Sequence, residues 1–308
     1  MQPHTLGIDL GGTKIEARVF DADWQEIARH RVPTPKDYAQ LVDAVADQIA
    51  WATQQGAEIA AVGVGAAGLV NPRTGLTLTN NLPASGRPFP ADLEKRAGRK
   101  ITFLNDCRAL ALSEAVFGAG QVKSVVMALI LGTGVSGGLI VNQTWRAGPT
   151  ATGGEIGHTA APAHIITAYG LPVYDCGCGR KGCIEAYISG PGLQRLATFV
   201  TGAELTTHEI AVLRATDMAG VWALWCALVA ELIHSLTLTV DPDVVVLGGG
   251  LSAIAHMIPD LQAAAAHAQI AGFDAVPLAL AQGGDASGAR GAAYAAWMEH
   301  RNSAGDQA

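Results

Sequence analysis

Leu6-Gly7-Ile8-Asp9-Leu10-Gly11-Gly12-Thr13-Lys14 is followed directly by the apolar run Ile15–Phe20. Leu6–Leu10 is typical of a short buried β-strand, and Ile15–Phe20 has the partial alternation of a second one. The glycine turn between them offers closely spaced backbone N–H groups, a hydroxyl and a lysine ammonium. Glycine has no Cβ that would keep a phosphate away from the backbone. The segment therefore predicts a strand, a phosphate-binding turn and a second strand.

The same order of elements returns later in the chain. Val125–Leu131 predicts a strand, Gly132-Thr133-Gly134 a turn and Gly137–Val141 another strand. Two such openings indicate two related domains, and the alternation of strands with helices such as Tyr38–Gln54 predicts α/β sheets with helices on their faces. Gly118-Ala119-Gly120, which lies between the halves, is interpreted as a hinge.

Composition restricts the class of protein. The chain has 308 residues, of which 49% are apolar and 15% charged, so it can form two packed cores. Its net charge of −7 does not favour a nucleic-acid surface. Val221–Val240 is long and apolar enough to span a bilayer, but it contains Glu231 and His234, which are costly in hydrocarbon. A helix buried in a soluble core is predicted, and no signal peptide is recognised at the N-terminus.

Three of the five cysteines, Cys176, Cys178 and Cys183, stand in one short glycine-rich turn. Such an odd, clustered set predicts a metal site in a reducing compartment, the cytoplasm, rather than a disulfide framework. Zn²⁺ takes four nitrogen or sulfur ligands in a tetrahedron, and either His158 or His164 can supply the fourth. A complete set of protein ligands favours a structural zinc ion over a catalytic one.

Several acidic and amide side chains are candidates for a polar ligand. Asn105-Asp106 follows the predicted strand Ile101–Leu104 and opens a predicted helix. A carboxylate there caps the helix in most proteins, but it can also project into a ligand site at the end of the strand. Glu155 and Glu185 are the other acidic candidates, and together such groups suit a ligand with several hydroxyls.

Taken together, four motifs resemble those of the ROK sugar kinases over about residues 6–298. They are Leu6–Lys14, Asn105-Asp106, Gly154-Glu155-Ile156-Gly157-His158 and the cysteine turn Cys176–Cys183. Further stretches point to the bacterial members that act on N-acetyl-D-glucosamine: Arg31–Pro35, Leu82–Gly86, Leu129–Gly134, Gly182–Gly190, Val240–Ser252 and Gly284–Ala292.

The resemblance implies a two-lobed α/β fold of the actin and hexokinase type (ribonuclease H-like), with the active site in a cleft between the lobes. Residues 1–118 would form the smaller lobe, joined by a C-terminal helix at about 288–308. Residues 119–287 would form the larger lobe, which carries the zinc turn. A homodimer is usual in the family.

The resemblance also implies the role of each site residue. Asp106 would be the catalytic base, and the sugar would be bound by Gly68, Asn81, Asn105, Asp106, Glu155, His158 and Glu185. ATP, with Mg²⁺, would be bound by Gly7, Asp9, Gly11, Gly12, Thr13, Lys14, Gly132, Thr133, Gly134, Gly137 and Gly249. The zinc ligands would be His158, Cys176, Cys178 and Cys183, so the metal would hold a sugar-contacting histidine in place.

Two positions depart from the family pattern: Ala67 replaces a usual proline, and Cys107-Arg108 replaces a common Ala-Asn pair after Asp106. The expected reaction is phosphorylation of the 6-hydroxyl of N-acetyl-D-glucosamine. Glucose, N-acetylmannosamine and fructose are the alternative substrates. A sugar-responsive repressor is a rival from the same family, but the strand that begins at Leu6 leaves no room for an N-terminal helix-turn-helix. A sugar-binding scaffold without activity is disfavoured because Asp106 and the phosphate turns are present.

Overall fold

A computed structural model describes residues 4–55, 58–145 and 148–305 of the chain. The chain divides into two compact units. The first consists of Met1–Val122, Gly138–Gly153 and Gln282–Ala308, and the second of Lys123–Gly137 and Gly154–Ala281. Sheets and helices occur in both, as the predicted α/β class requires. In this division residues 282–308 go with the first unit, where the sequence predicted about 288–308, and so do residues 138–153, which the sequence assigned to the other lobe.

The elements are numbered in chain order. The strands are β1 (His4–Leu10), β2 (Lys14–Phe20), β3 (Glu26–Pro33), β4 (Ile59–Ala66), β5 (Leu69–Val70), β6 (Thr77–Leu78), β7 (Thr102–Asn105), β8 (Val125–Leu131), β9 (Val135–Val141), β10 (Thr144–Trp145), β11 (Val244–Gly248) and β12 (Leu278–Leu280). The helices are α1 (Tyr38–Thr53), α2 (Phe89–Ala97), α3 (Asp106–Phe117), α4 (Ala163–Ala168), α5 (Glu185–Ile188), α6 (Gly190–Thr201), α7 (Thr207–Leu213), α8 (Ala219–Val240), α9 (Met257–Ala268) and α10 (Ser287–Gly305).

The sheet of the first unit has the strand order β3-β2-β1-β4-β7. β1 is antiparallel to β2 but parallel to β4, and β4 is parallel to β7. The carboxyl ends of β1, β4 and β7 therefore lie at one edge of the sheet, where α/β proteins bind their ligands. Helix α1 is capped by Asp37, whose side chain accepts the Gln40 N–H. The apolar face of this helix is buried.

Close packing against α10 explains two glycines of this sheet. A Cβ at Gly7 would lie 1.8 Å from the carbonyl oxygen of Ala289, and one at Gly63 would lie 1.9 Å from that of Ala292. Gly7 is buried beneath α10, so its place in the sequence is explained by packing, and its predicted contact with ATP stays a prediction. Its missing side chain allows a helix to approach the strand.

The second five-stranded sheet has the order β10-β9-β8-β11-β12. β11 lies between β8 and β12 and is parallel to both. Its residues Val244–Gly248 are all buried, as expected for an apolar strand with both faces covered. β8 spans the predicted residues Val125–Leu131. Gly249-Gly250 follows β11, so this glycine turn also lies at the carboxyl end of a parallel strand.

Helix α8 passes a length and apolarity test for a membrane span, and it alone does so in the described part of the chain. It nevertheless contributes many buried side chains to the core of the second unit. Trp222 donates its indole N–H to Asp260 Oδ2 at 2.8 Å, and Trp225 donates to the Ile188 carbonyl at 2.9 Å. These contacts support the predicted core helix.

The predicted hinge Gly118–Gly120 lies inside the first unit, whose first segment ends at Val122. Both Gly118 N–H and Gly120 N–H donate to the carbonyl of Glu114, and the Ala119 N–H donates to Glu114 Oε2. The hinge interpretation is therefore corrected: these residues are tied to the end of α3 by three hydrogen bonds.

Candidate active site and metal centre

Asn105 and Asp106 stand at the junction of β7 and α3. The Asn105 side-chain oxygen accepts the Cys107 N–H at 3.0 Å and caps α3, while Asn105 Nδ2 donates to the Gly68 carbonyl at 3.1 Å. The cap is thus Asn105, and Asp106 is the first helical residue. The Asp106 carboxylate accepts the same Cys107 N–H at 2.9 Å. Burial raises the pKa of Asp106, which suits a group that must take up a proton.

Asp9 is a second partly buried carboxyl group in this unit, near the end of β1. Burial raises its pKa to about 6, the negative charge of Asp106 adds to this, and the Lys14 ammonium opposes it. Gly288, near the start of α10, leaves space for it: a Cβ there would lie 3.0 Å from Asp9 Cγ. Asp9 and Asp106 thus form a negatively charged site that a cation would stabilise.

The turn after β1 is held in shape by the segment that follows β3. The Gly11 N–H donates to the Lys14 carbonyl at 3.0 Å, which closes the turn. Thr34 N–H donates to the Thr13 carbonyl at 3.1 Å, Thr34 Oγ1 donates to the Gly11 carbonyl at 2.7 Å, and Lys36 Nζ reaches the Gly12 carbonyl at 3.0 Å. Because Thr34 and Lys36 already bind the carbonyls of this turn, the turn is preorganised to bind an anion on the side away from those two residues.

Two of the predicted sugar-contacting residues adjoin other parts of this site. A Cβ at Gly12 would lie 3.0 Å from both the Cβ and the carbonyl oxygen of Asn81, so the phosphate turn packs directly on Asn81. Gly68 has φ +121° and would place a Cβ 2.4 Å from the Leu78 carbonyl oxygen. Glycine is therefore required there by backbone conformation and by space.

The second glycine turn connects to two elements of the second unit. The Gly132 N–H donates to the Gly134 carbonyl at 3.0 Å, and the Gly132 carbonyl accepts the Gly190 N–H at 2.7 Å. Glu185 Oε2 accepts the Val135 N–H at 2.7 Å, and a Cβ at Gly134 would lie 3.0 Å from that oxygen. One carboxylate of the predicted sugar site thus helps to hold the predicted phosphate turn.

A cavity of about 660 Å³ opens beside this turn. Gly132 and Thr133 line it as predicted, together with residues of α6, α7 and the turn after β11: Gly190, Pro191, Gln194, Thr207, His208, Ala211, Val212, Arg214, Gly250, Leu251, Ala253, Ile254 and Ala255. The sequence predicted none of the lining residues other than Gly132 and Thr133. Only the Gly248-Gly249-Gly250 run carried a usable signal, and its third glycine rather than Gly249 lines the cavity.

Two further glycines predicted to contact ATP also have a packing role. Gly137 is buried, and a Cβ there would lie 2.6 Å from the Ala128 carbonyl oxygen, so it serves packing. Gly249 has φ +85° and would place a Cβ 2.4 Å from the Leu131 carbonyl oxygen. It shapes the turn after β11 but does not line the cavity.

The predicted metal ligands converge. One ligand atom from each of His158, Cys176, Cys178 and Cys183 lies within 4.8 Å of the others. Cys178 Sγ and Cys183 Sγ are 3.6 Å apart, and Cys176 Sγ is 3.6 Å from His158 Nδ1. Zn–S bonds of about 2.3 Å in a tetrahedron place sulfurs roughly 3.8 Å apart, so the cluster fits that ion. Burial raises the pKa of the Cys183 thiol to about 12 in the metal-free cluster, and a bound cation would reverse this.

His164, the alternative fourth ligand, is excluded from this cluster. Its Nε2 lies 3.5 Å from Glu231 Oε1 on α8. His158 is positioned by a short 3₁₀ turn, Ile156–His158, that begins directly after Glu155. Gly157 in this turn would place a Cβ 2.1 Å from the Val135 carbonyl oxygen, which explains the glycine of the motif.

The predicted sugar-contacting residues are distributed over both units. Gly68, Asn81, Asn105 and Asp106 belong to the first, whereas Glu155, His158 and Glu185 belong to the second. Within the second unit, Glu185 Oε1 lies 3.9 Å from Cys176 Sγ, so the acidic group also adjoins the metal cluster. Glu185 therefore adjoins both the Gly132–Gly134 turn and the cysteine turn.

Comparison with known proteins gives consistent results. The sequence profile of the ROK family matches residues 5–299. The N-acetylgalactosamine kinase AgaK of Shewanella sp. (strain ANA-3) is 39% identical over 296 residues, 93% of this chain and 94% of that protein. The N-acetyl-D-glucosamine kinase of Shigella boydii serotype 4 (strain Sb227) is 39% identical over 296 residues, 94% of this chain and 97% of that protein.

Among solved structures, the ROK hexokinase from Thermus thermophilus superposes with a TM-score of 0.87 and 33% sequence identity, and the match covers 97% of this chain and 99% of that one. The family profile spans both units and all four motifs described above. The chain therefore belongs to the ROK family.

Proposed function

We propose that the protein transfers the γ-phosphoryl group of ATP to the 6-hydroxyl of N-acetyl-D-glucosamine, which yields N-acetyl-D-glucosamine 6-phosphate and ADP. The observation that carries the proposal is the partly buried Asp106 at the start of α3, directly after β7, whose raised pKa fits a general base. The names of the ROK relatives support a sugar as acceptor.

In the proposed mechanism, Asp106 accepts the proton of the sugar 6-hydroxyl while its oxygen attacks the γ-phosphorus. Such a base typically contributes about 10²–10⁴-fold to the rate. Asn105 caps α3 and holds Gly68, so it fixes the start of the helix from which Asp106 acts. Positioning and neutralisation of phosphate charge supply the larger share of the acceleration.

For the nucleotide, the 660 Å³ cavity of the second unit supports binding of the adenosine part of ATP, with Gly250 as an additional lining residue. The N–H groups of the Gly132–Gly134 and Gly11–Lys14 turns would bind phosphate oxygens. Mg²⁺ that arrives with ATP would neutralise phosphate charge. Asp9 would bind its water shell, and Lys14 would pair with phosphate.

For the metal, we infer that the cysteine cluster holds one structural zinc ion. Its complete set of protein ligands supports this role. Nδ1 is the nitrogen of His158 that faces Cys176 Sγ, so Nε2 can serve a sugar hydroxyl. Glu155 and Glu185 would accept further hydroxyl hydrogen bonds.

N-acetyl-D-galactosamine is the second candidate substrate. The relative named N-acetylgalactosamine kinase AgaK is 39% identical to this chain, as is the N-acetyl-D-glucosamine kinase reported above. Glucose, N-acetylmannosamine and fructose are further alternatives. A cytoplasmic location is supported by the five cysteines, none of which forms a disulfide. A homodimer, expected from the family resemblance, belongs to the proposal as well.

One assay tests the proposal: ADP release with Mg-ATP, measured side by side for N-acetylglucosamine, N-acetylgalactosamine, N-acetylmannosamine, glucose and fructose. The highest kcat/KM for N-acetylglucosamine supports the assignment. A higher value for another sugar overturns the substrate but keeps the kinase. If folded, zinc-containing protein phosphorylates none of them, the kinase assignment is wrong.

A further inference from the structure

Arg108 is a buried charged residue two positions after Asp106, on the same helix. It stands where the family commonly has asparagine, and only 6% of it is exposed. Its Nη2 donates to the carbonyls of Ala151 and Gly153, both at 2.7 Å, and its Nε also reaches the Gly153 carbonyl, at 3.2 Å. The guanidinium therefore binds two backbone carbonyls of one segment within the first unit.

The segment that Arg108 binds has an unusual backbone. Ala151 is buried in the left-handed region at φ +55°, which costs energy for a residue with a Cβ. Gly154 has φ +97°, a conformation that requires glycine. The strained segment needs partners that hold it, and the charged fork of Arg108 supplies them.

The chain passes from the first unit to the second between Gly153 and Gly154. The Gly153 carbonyl is held by Arg108, and the next carbonyl, that of Gly154, accepts the Gly137 N–H at 2.8 Å. Glu155 is the following residue. Two successive carbonyls are thus fixed immediately before the motif proposed to bind sugar hydroxyls.

We propose that Arg108 is a positioning residue for the sugar: by fixing Gly153 it sets the path by which the chain presents Glu155 and His158. This inference rests on the proposed function. A guanidinium is planar and offers five donors in a fixed arrangement, so it holds two carbonyls in a set relation. A lysine ammonium in the same space lacks that geometry.

The test compares Arg108→Met, which keeps the apolar stem and removes every donor, with Arg108→Lys, which keeps a charge. Arg29→Met is the matched control, since Arg29 is largely exposed on β3. We expect Arg108→Met to weaken N-acetylglucosamine binding by about tenfold or more, as measured by calorimetry without ATP. The KM for ATP should change far less, Arg108→Lys should be intermediate, and Arg29→Met should behave as the wild type.

A second measurement does not depend on substrate. Hydrogen exchange should show faster exchange of the Gly154–His158 amides in Arg108→Met, while the amides of β1 and β2 and the zinc content stay unchanged. Unchanged exchange at Gly154–His158 overturns the proposal. So does an equal loss of sugar and ATP affinity with faster exchange throughout the first unit, because that result indicates a purely structural role.

Arg108→Lys covers the case in which Arg108→Met does not fold. If the wild-type protein phosphorylates no sugar, the proposed function fails, and the exchange experiment still decides whether Arg108 controls the Glu155–His158 segment. The two failures are therefore distinguishable.

Discussion

Asn105 and Asp106 are adjacent in sequence but have separate tasks. Asn105 uses both ends of its amide within the protein, on Cys107 and on Gly68. It therefore fixes the loop after β4 and the start of α3 together. Asp106, one residue later, is the base in the proposed mechanism, and desolvation raises its pKa, so it accepts a proton more readily.

Asp106→Asn tests that division of labour. The amide keeps an acceptor for the Cys107 N–H but cannot accept the sugar proton, so kcat should fall by about 10²–10⁴-fold. The dissociation constant for N-acetylglucosamine, measured by calorimetry, should change little. Asp43→Asn, at an exposed ion pair with Arg96, is the control and should leave kcat unchanged. Near-normal turnover in Asp106→Asn would show that Asp106 is not the base of the reaction.

Asp9 gives a prediction with a pH sign. Its folded-state pKa of about 6 lies above the ordinary Asp value of 3.8, so the ionised form costs stability in the folded protein. That cost is absent at pH values below the pKa of Asp9 in the unfolded chain. It grows as the pH rises and reaches its full value above about pH 6. Asp9→Asn should therefore raise the free energy of unfolding by about 2–3 kcal/mol at pH 7.5, and by less than about 1 kcal/mol at pH 4.

Urea unfolding at the two pH values measures this difference. An equal increase in the free energy of unfolding at both pH values, or a decrease at pH 7.5, would contradict the assignment of a raised pKa to Asp9. The unfavourable charge is retained in the natural protein because the proposed Mg²⁺-ATP complex would offset it on binding.

At the scale of elements, short turns carry most of the chemistry. The turn after β8 is held by Glu185 and by Gly190 at the start of α6, and the cysteine turn holds His158 at the end of the 3₁₀ turn. The turn after β8 is therefore defined by contacts with other elements, whereas the cysteine turn also has backbone hydrogen bonds of its own, such as Cys176 N–H to the Arg180 carbonyl at 2.8 Å.

Cys183→Ser tests the metal turn. Cys183 is the most buried of the three thiols, so its loss should remove the metal, from one zinc per chain to a small fraction. With the metal gone, His158 loses its anchor, and sugar affinity should fall by about tenfold or more. Metal analysis and calorimetry measure the two effects. Cys107→Ala should keep full zinc content. Retention of zinc in Cys183→Ser would contradict the ligand assignment.

At the scale of the molecule, α3 gathers distant parts of the first unit. Besides the carbonyls held by Arg108, the fully buried Glu114 carboxyl group accepts N–H groups of Ala119, Gln282 and Gly283 and the hydroxyl of Ser287. These partners lie close to two of the points where the chain passes between the units. One side chain thus joins the first segment of the unit to its last.

Glu114→Ala should lower the free energy of unfolding by about 3 kcal/mol or more, because several buried N–H groups lose their acceptor. Glu114→Gln should lower it less, since one acceptor oxygen remains. Urea denaturation measures both, with the exposed Glu204→Ala as a control expected within about 0.5 kcal/mol of the wild type. Equal stability of Glu114→Ala and the wild type would contradict this structural role.

Local pattern in the sequence determined the α/β class, the strand–turn–strand openings, the position of β8, the metal ligands of the cysteine turn and the location of Asp106. These features depend on hydrophobic period, glycine and ligand spacing, which neighbouring residues express by themselves. Local pattern left both His158 and His164 open as the fourth ligand; the family resemblance implied His158, and three-dimensional proximity agrees with it. The cap formed by Asn105 followed only from the tertiary structure.

Tertiary structure alone decided which glycines pack against another element. Gly7 and Gly137 look like members of phosphate turns, yet each lies against a carbonyl from another element. It also brought α6, α7 and the turn after β11 together around one cavity, and placed residues 138–153 in the first unit. The physical reason is that the space around a Cβ, and the walls of a cavity, are formed by residues far away in the chain, which no local pattern contains.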